Sequence, residues 1–243
     1  MNVALIFAGG IGARMRAGAV PKQFLEIYGR PVIVHTLEQF QQHPEIDAIL
    51  VVILEEYRQE FLRLLDRYEL SKVKWVVSGG STGQESRHNG LKALREACPK
   101  DSVVLIHDGV RPLVDEELIT ANIRSVEAHG TGVTCTKTNE TIVVANEPQV
   151  TDVIPRDCLW TAQAPQSFVL GEVADIYDRA VSEGITDSID TCSLYRRYGI
   201  PVRMVPGPHT NIKITTSSDY YIARTFFTLV EDAKAFGARA EME

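Results

Sequence analysis

Short runs dominated by Val and Ile, VALIFA (Val3 to Ala8), AILVVIL (Ala48 to Leu54), VKWVV (Val73 to Val77) and VVLIH (Val103 to His107), alternate with longer segments of helical period. That alternation narrows the possible folds more than any other feature. Near-continuous apolarity over so few residues marks strands covered on both faces, as in a parallel sheet. Between them, VIVHTLEQFQQH, EYRQEFLRLLDRY and ESRHNGLKALREA return an apolar residue every three or four positions, the pattern of a helix with one buried face. Strand and helix in alternation predict a doubly wound, mostly parallel, Rossmann-like α/β sheet. Ligands of such folds gather where loops leave the carboxyl ends of the strands. The loops after Ala8, Val77 and His107 are therefore the places to look for a site.

The rhythm breaks at CTKTNETIVVANEPQVTDVI (Cys135 to Ile154), which alternates β-prone stretches with a polar turn and holds no helix-length pattern. It predicts a protruding β-arm at about 135–156. Alternation then resumes, and the chain ends in a long helical stretch from Ser217, with Thr216 and Asp219 spaced as a capping box. The 243 residues contain no internal repeat and read as a single domain over 1–243.

Charge excludes some classes of function. A net charge of −7 argues against a nucleic-acid binder or a membrane-surface binder, both of which need a broad basic field. Any anion must be held locally. Cys98, Cys135, Cys158 and Cys192 form no C-x-x-C pair, so neither a zinc site nor a disulfide framework is expected. No apolar run approaches the ~18–20 residues of a membrane helix, and the apolar N-terminus lacks a basic leader region. A cytoplasmic location is the expectation.

The loop after the first strand, AGGIGARM, suits a backbone cradle for phosphate, because glycines let N–H groups approach an anion closely. A dinucleotide fingerprint starting at Gly10 would place Met15 where its third glycine belongs, and a P-loop would need a terminal G-K-[ST] that is missing. A third reading takes the glycines with Arg14 and Lys22 as a site for a polyphosphate whose charge rises during reaction. A tight turn with solvated cations is the fourth.

The whole stretch AGGIGARM...PKQFL, together with GGSTGQESRHNGLKAL, HDGVRPLV, PRDCLWTAQAPQSF and NIKITTSSD, resembles the polyol-phosphate cytidylyltransferases. That family includes enzymes acting on 2-C-methyl-D-erythritol 4-phosphate and on ribitol 5-phosphate. The blocks occur in order and span almost the entire chain. The resemblance implies transfer of CMP from CTP to a small polyol phosphate, with release of pyrophosphate. It places Ala8, Gly9, Gly10 and Gly12 around the triphosphate, and Gly80, Ser81 and Ser86 at the cytidine. Asp108 falls by the nucleotide and a magnesium ion, and Arg111 on the acceptor side. Arg14, Lys22 and Lys213 stabilise the transition state. Thr141 and Arg156 match acceptor contacts carried by an arm that reaches from a second subunit, which implies a homodimer.

The implied nucleophile is a phosphate monoester, largely dianionic at neutral pH, so no general base is required. This accords with six histidines that form no cluster and with the lack of a Ser-His-Asp or Cys-His set. Lys213 sits in an apolar, β-prone run where burial without an anion is costly. His107 reads as a strand-end residue and not as a base. The chain departs from the family pattern in three places: Gly83 stands where an arginine is usual, with Arg87 as a substitute; Gly109 and Val110 replace two alanines; Ala164 replaces a threonine near the acceptor. LWTAQ leans toward the methylerythritol enzymes, and ETIVV and DGVRP toward the pentitol enzymes. Methylerythritol 4-phosphate is placed first and ribitol 5-phosphate second. A hexose-1-phosphate nucleotidyltransferase and a non-catalytic nucleotide-binding module are the rivals outside the class.

Overall fold

The computed structural model describes residues 1–8 and 20–236, with side chains of the last helix as far as residue 229. Gly9, Gly10, Gly12 and Arg14 of the glycine loop lie outside the described residues. The chain opens with β1 (Asn2–Ala8), a two-residue ladder of β2 (Glu26–Ile27) with β3 (Arg30–Pro31), and α1 (Val32–Gln42). It continues through β4 (Ala48–Ile53), α2 (Arg58–Arg67), β5 (Val73–Ser78), α3 (Gly83–Ala97), β6 (Val103–Asp108), α4 (Glu116–His129) and β7 (Thr131–Lys137). A hairpin of β8 (Ile142–Asn146) and β9 (Gln149–Ile154) follows, then β10 (Trp160–Val169), α5 (Leu170–Ser182), α6 (Thr191–Arg197), β11 (Met204–Pro206) and α7 (Ser217–Phe236).

A seven-stranded sheet in the order β11-β7-β10-β6-β1-β4-β5 forms the centre. β10 pairs antiparallel with both neighbours, and every other pairing in it is parallel. The expected doubly wound α/β architecture is therefore present. The period of two in β1 sorts its side chains between two layers. Ala4 and Ile6 pack with Leu37 and Phe40 of α1 and Ile119 of α4, whereas Val3 and Leu5 pack with Leu91 of α3 and Tyr177 of α5. The four strands read from the sequence all form. The capping box also forms: Thr216 N donates to Asp219 Oδ2 at 2.7 Å, and Asp219 N donates to Thr216 Oγ1 at 3.3 Å.

The arm is shorter than the sequence suggests. Cys135 to Lys137 remain in the central sheet as the end of β7, because Trp160 to Ala162 of β10 continue the ladder beside them. Only Ile142 to Ile154 project, as a two-stranded sheet of their own. Val143, Val144, Val150 and Val153 on it are exposed.

Helix α3, which borders the site, is drawn tightly onto the sheet at Gly90. A Cβ placed there would lie 2.8 Å from Leu5 Cδ1 and 2.9 Å from Val52 Cγ2. Gly90→Ala should therefore lower the unfolding free energy by up to about 2 kcal/mol, since overpacking costs about 1–3 kcal/mol and the gain in helix propensity returns about 1. Urea denaturation checks this as a lower midpoint at unchanged slope.

Candidate active site

The carboxyl ends of β1, β5 and β6 lie along one edge of the sheet, with Phe7 in register with Asp108. Asp108, the last residue of β6, is buried, and each of its oxygens accepts one charged hydrogen bond. Oδ2 takes Arg111 Nε at 2.7 Å, and Oδ1 takes Lys213 Nζ at 2.6 Å. Burial alone would raise its pKa, but the two neighbouring cations outweigh burial and hold it at about 2. His107 beside it points into the opposite layer, against the ring of Phe40. Burial lowers its pKa to about 4, against the opposing pull of its bond to the Arg111 carbonyl and of Asp108. It is a neutral strand-end residue, as the sequence suggested.

Two further segments converge on Asp108. Arg111 Nη1 donates to the Asn211 carbonyl at 2.8 Å, and Ile214 N donates to the Val110 carbonyl at 2.9 Å. Residues 211–215 are irregular and not the strand that NIKIT suggested. Ile214 still packs inward with Ile27, Val32 and Phe227. Lys213 is not buried as the sequence argument supposed: its side chain is 40% exposed, with only the head drawn onto Asp108. Lys22 Nζ donates to the Thr215 carbonyl at 3.0 Å, and Gln23 Nε2 to the Ala8 carbonyl at 3.0 Å. Ala8, Lys22, Asp108, Arg111 and Lys213 are thus linked by hydrogen bonds and chain continuity into one assembly.

Helix α3 supplies the far side. Thr82 caps it, accepting from Glu85 N at 3.0 Å. Ser86 is buried and accepts from Gly80 N at 3.0 Å, while Glu85 Oε2 accepts from both N and Oγ of Ser81. The Gly80, Ser81 and Ser86 group is therefore a single ordered turn at the end of β5.

Between these walls lies a cavity of about 340 Å³, bounded by Phe7, Arg87, Arg111, Gln163, Thr191 and Lys213, with Asp108 also on its surface. Among the sequence-predicted site residues, Asp108, Arg111 and Lys213 line it; Lys22, Gly80, Ser81 and Ser86 do not. Thr141 and Arg156 belong to the arm region. Thr141 is exposed, and Arg156 Nη1 donates to the Asn139 carbonyl at 3.0 Å. Gln163, Gln166 and Thr191 were not singled out from sequence. The pairing of β10 with β7 shifts register between Ala162 and Gln166, and such a bulge re-aims side chains toward a site. Two glutamines in a buried strand were the available signal.

Three cations, Arg87, Arg111 and Lys213, line this cavity in a chain of net charge −7. It is suited to an anionic ligand held locally. Among the described residues no three His, Cys, Asp or Glu side chains are grouped to hold a metal ion. Asp108 nevertheless retains lone pairs, because a carboxylate oxygen has two and each carries one bond here. It fits an ion that takes one carboxylate and draws its other ligands from phosphates and water, as Mg²⁺ prefers. No helix among the described residues is long and apolar enough to cross a membrane.

The family model for 2-C-methyl-D-erythritol 4-phosphate cytidylyltransferase matches residues 2–229. A ribitol-5-phosphate cytidylyltransferase of Vibrio parahaemolyticus is 46% identical over 98% of this chain and 100% of that protein. A 2-C-methyl-D-erythritol 4-phosphate cytidylyltransferase of Syntrophus aciditrophicus is 39% identical over 92% of this chain and 94% of its own length. Among solved structures, a 4-diphosphocytidyl-2C-methyl-D-erythritol synthase from Anaerococcus prevotii superposes with a TM-score of 0.79 at 28% identity, covering 93% of this chain and 96% of that one.

The neighbouring pKa values predict an acid response. An unfolded histidine takes up a proton near pH 6.5, whereas His107 in the fold stays neutral down to about 4. Its folded pKa is depressed, so the stability it contributes is present above pH 6.5 and is lost as pH falls toward 4, by up to about 3 kcal/mol. Asp108 stays ionised in the fold throughout that window and adds a slope only below about pH 5, where the unfolded carboxyl begins to protonate, and that slope is common to wild type and variant. Urea denaturation at about pH 7 and about pH 4.5 should therefore show a smaller difference for His107→Gln than for the wild type.

Proposed function

Because the chain belongs to the 2-C-methyl-D-erythritol 4-phosphate cytidylyltransferase family, we propose that it is a CTP-dependent enzyme whose acceptor is ribitol 5-phosphate. The activity class is that of the family: a cytidylyltransferase acting on polyol phosphates. The observation that carries the acceptor is the 46% identity over the whole length of a ribitol-5-phosphate enzyme, against 39% for a methylerythritol one. Methylerythritol 4-phosphate, placed first on the LWTAQ block, becomes the second reading. A lining that includes Gln163, Gln166 and Thr191 suits a chain of hydroxyl groups.

In the reaction a phosphate oxygen of the acceptor attacks the α-phosphorus of CTP. The new O–P bond forms as the bond to the bridging oxygen of pyrophosphate breaks, and pyrophosphate takes that electron pair. The attacking phosphate is already largely dianionic, so no residue has to remove a proton, and a neutral buried His107 is compatible with that. The protein's task is to align two anions and stabilise the charge that builds between them.

In this reading Ala8, Gly9, Gly10 and Gly12 cradle the triphosphate, Gly80, Ser81 and Ser86 hold the cytidine, and Arg111 meets the acceptor. Arg14, Lys22 and Lys213 stabilise the transition state. Asp108 fixes the heads of Lys213 and Arg111. A magnesium ion held by Asp108 and the phosphates would neutralise part of the triphosphate charge. The arm, with Thr141 and Arg156 near its base, docks on a second copy, because a two-stranded hairpin with exposed valines has too little core to be stable alone. Free thiols at all four cysteines accord with a cytoplasmic location.

Pyrophosphate release, measured with each of four nucleoside triphosphates against ribitol 5-phosphate, methylerythritol 4-phosphate and a hexose 1-phosphate, tests the reading. CTP with ribitol 5-phosphate should give the highest kcat/KM, and Lys213→Ala should lower kcat on the order of 10²–10³-fold. Turnover only with pairs lacking CTP would refute it. Light scattering should give twice the chain mass, and Val150→Lys should shift the protein toward monomer with loss of activity; a fully active monomer would exclude the proposed arm exchange.

A further inference from the structure

Arg87 is a buried cation without a counter-charge. Its side chain lies in α3 with the residue only 4% exposed. Nε donates to Tyr177 OH at 2.8 Å, and Nη2 donates to the carbonyls of Ser188 at 2.9 Å and Ile189 at 3.3 Å. The guanidinium carbon lies 5.6 Å from the centre of the Phe7 ring. Every one of these partners is neutral. Among the described residues no carboxylate forms an ion pair with Arg87, and residues 9–19 include Arg14 and Arg16 but no acidic residue. The two carboxylates that share its cavity are engaged elsewhere. Asp108 holds Arg111 and Lys213, while Asp190 accepts from Ser193 N and Gln166 Nε2.

Buried guanidinium groups are ordinarily paired, because the desolvation of an isolated charge is costly. Here the unpaired side of the group faces the cavity. Nη1 makes no hydrogen bond among the described residues, and Arg87 lines the cavity together with Arg111 and Lys213. Gly83, one turn earlier, leaves that side clear: a Cβ there would come within 3.6 Å of Nη1. The rest of the group is fixed. Tyr177 OH accepts from Arg87 and shares a second hydrogen bond with Thr191 Oγ1 at 2.9 Å, so the fork is held from behind by a chain of hydrogen bonds.

Resting on the cytidylyltransferase reading, we propose that Arg87 is a further substrate-binding residue, whose Nη1 donates to a phosphate oxygen of one of the two substrates. A phosphate supplies the missing negative charge and acceptor atoms together. The group belongs either to CTP or to the polyol phosphate, and kinetics separates the two sources.

Arg87→Gln and Arg87→Lys are compared with the wild type by KM for CTP and for ribitol 5-phosphate, kcat, and thermal midpoint. In Arg87→Gln the KM of one substrate should rise about 10- to 100-fold, the loss of one charge-assisted hydrogen bond. In Arg87→Lys the same KM should rise several-fold, because an ammonium cannot reach the Ser188 carbonyl and the ligand together. A rise for CTP assigns its phosphates; a rise for ribitol 5-phosphate assigns the acceptor's. If both KM values stay within twofold of the wild type in the folded variants and only the thermal midpoint falls, Arg87 is structural and the proposal is wrong. Should Arg87→Gln not fold, Arg87→Lys decides by the same criterion. If the wild type turns over no pair at all, the parent reading fails separately. Calorimetric titration of wild type and Arg87→Lys with inorganic pyrophosphate and inorganic phosphate then tests Arg87 alone, equal affinities for both ions overturning its role.

Discussion

The site is organised around one buried carboxylate. Asp108 has left water at the end of β6, and the cost of that desolvation is offset because each oxygen meets a cation, Arg111 on one side and Lys213 on the other. The pairing also decides where distant pieces of chain lie. Arg111 extends the link to the Asn211 carbonyl, Lys213 belongs to the same 211–215 segment, and Lys22 closes onto Thr215 from near the start of the chain. Packing of Ile214 beneath that segment sets its depth, but charge sets which side chains look into the cavity. An acidic protein thus concentrates cationic groups at one sheet edge.

Neighbouring residues of β6 take opposite protonation behaviour because a strand alternates its faces. His107 turns into an apolar layer and is held neutral, while Asp108 turns toward two cations and is held ionised. Near neutral pH neither changes state. A site for general acid–base work would need a group poised near the working pH, and this pair is pushed away from it in both cases. A reaction whose nucleophile arrives already ionised makes no such demand.

The sequence revealed what depends on local period and little of what depends on long-range pairing. Strands buried on both faces and helices with one apolar face were legible, as were Asp108 and Arg111, since charged residues at the end of an apolar strand stand out. Lys213 was found, although its NIKIT surroundings suggested a strand: Ile212 and Ile214 alternate as strand residues do, yet among the described residues they pair with no strand. Gln163 and Gln166 enter the cavity through a register shift against β7, which no local pattern encodes. Arg87 sits at an interior position of a helix where a charged residue ordinarily faces solvent. It faces inward because α5 lays Tyr177 against it. The glycine loop was the plainest signal in the chain, and it lies outside the described residues.

The groups that are legible and those that are not divide along the chemistry. On the proposed reading Arg111 and Lys213, both held by Asp108, offer positive charge to a phosphate, and every polyol phosphate carries one, so they say nothing about the carbon chain behind it. On the same reading the walls that meet the carbon chain are those the β10 bulge and the start of α6 give the cavity, with Ala164 contributing space where a threonine would contribute a hydroxyl. A hydrogen-bonding wall rejects a ligand lacking the matching hydroxyl far more strongly than an apolar wall rejects an extra one. On the proposed reading, discrimination between a pentitol and a methyl-branched tetritol therefore rests on Gln163, Gln166 and Thr191, the residues least visible from sequence. Motif blocks alone left the acceptor open, because LWTAQ leans one way and ETIVV and DGVRP the other, whereas identity over the full length leaned toward the ribitol enzymes.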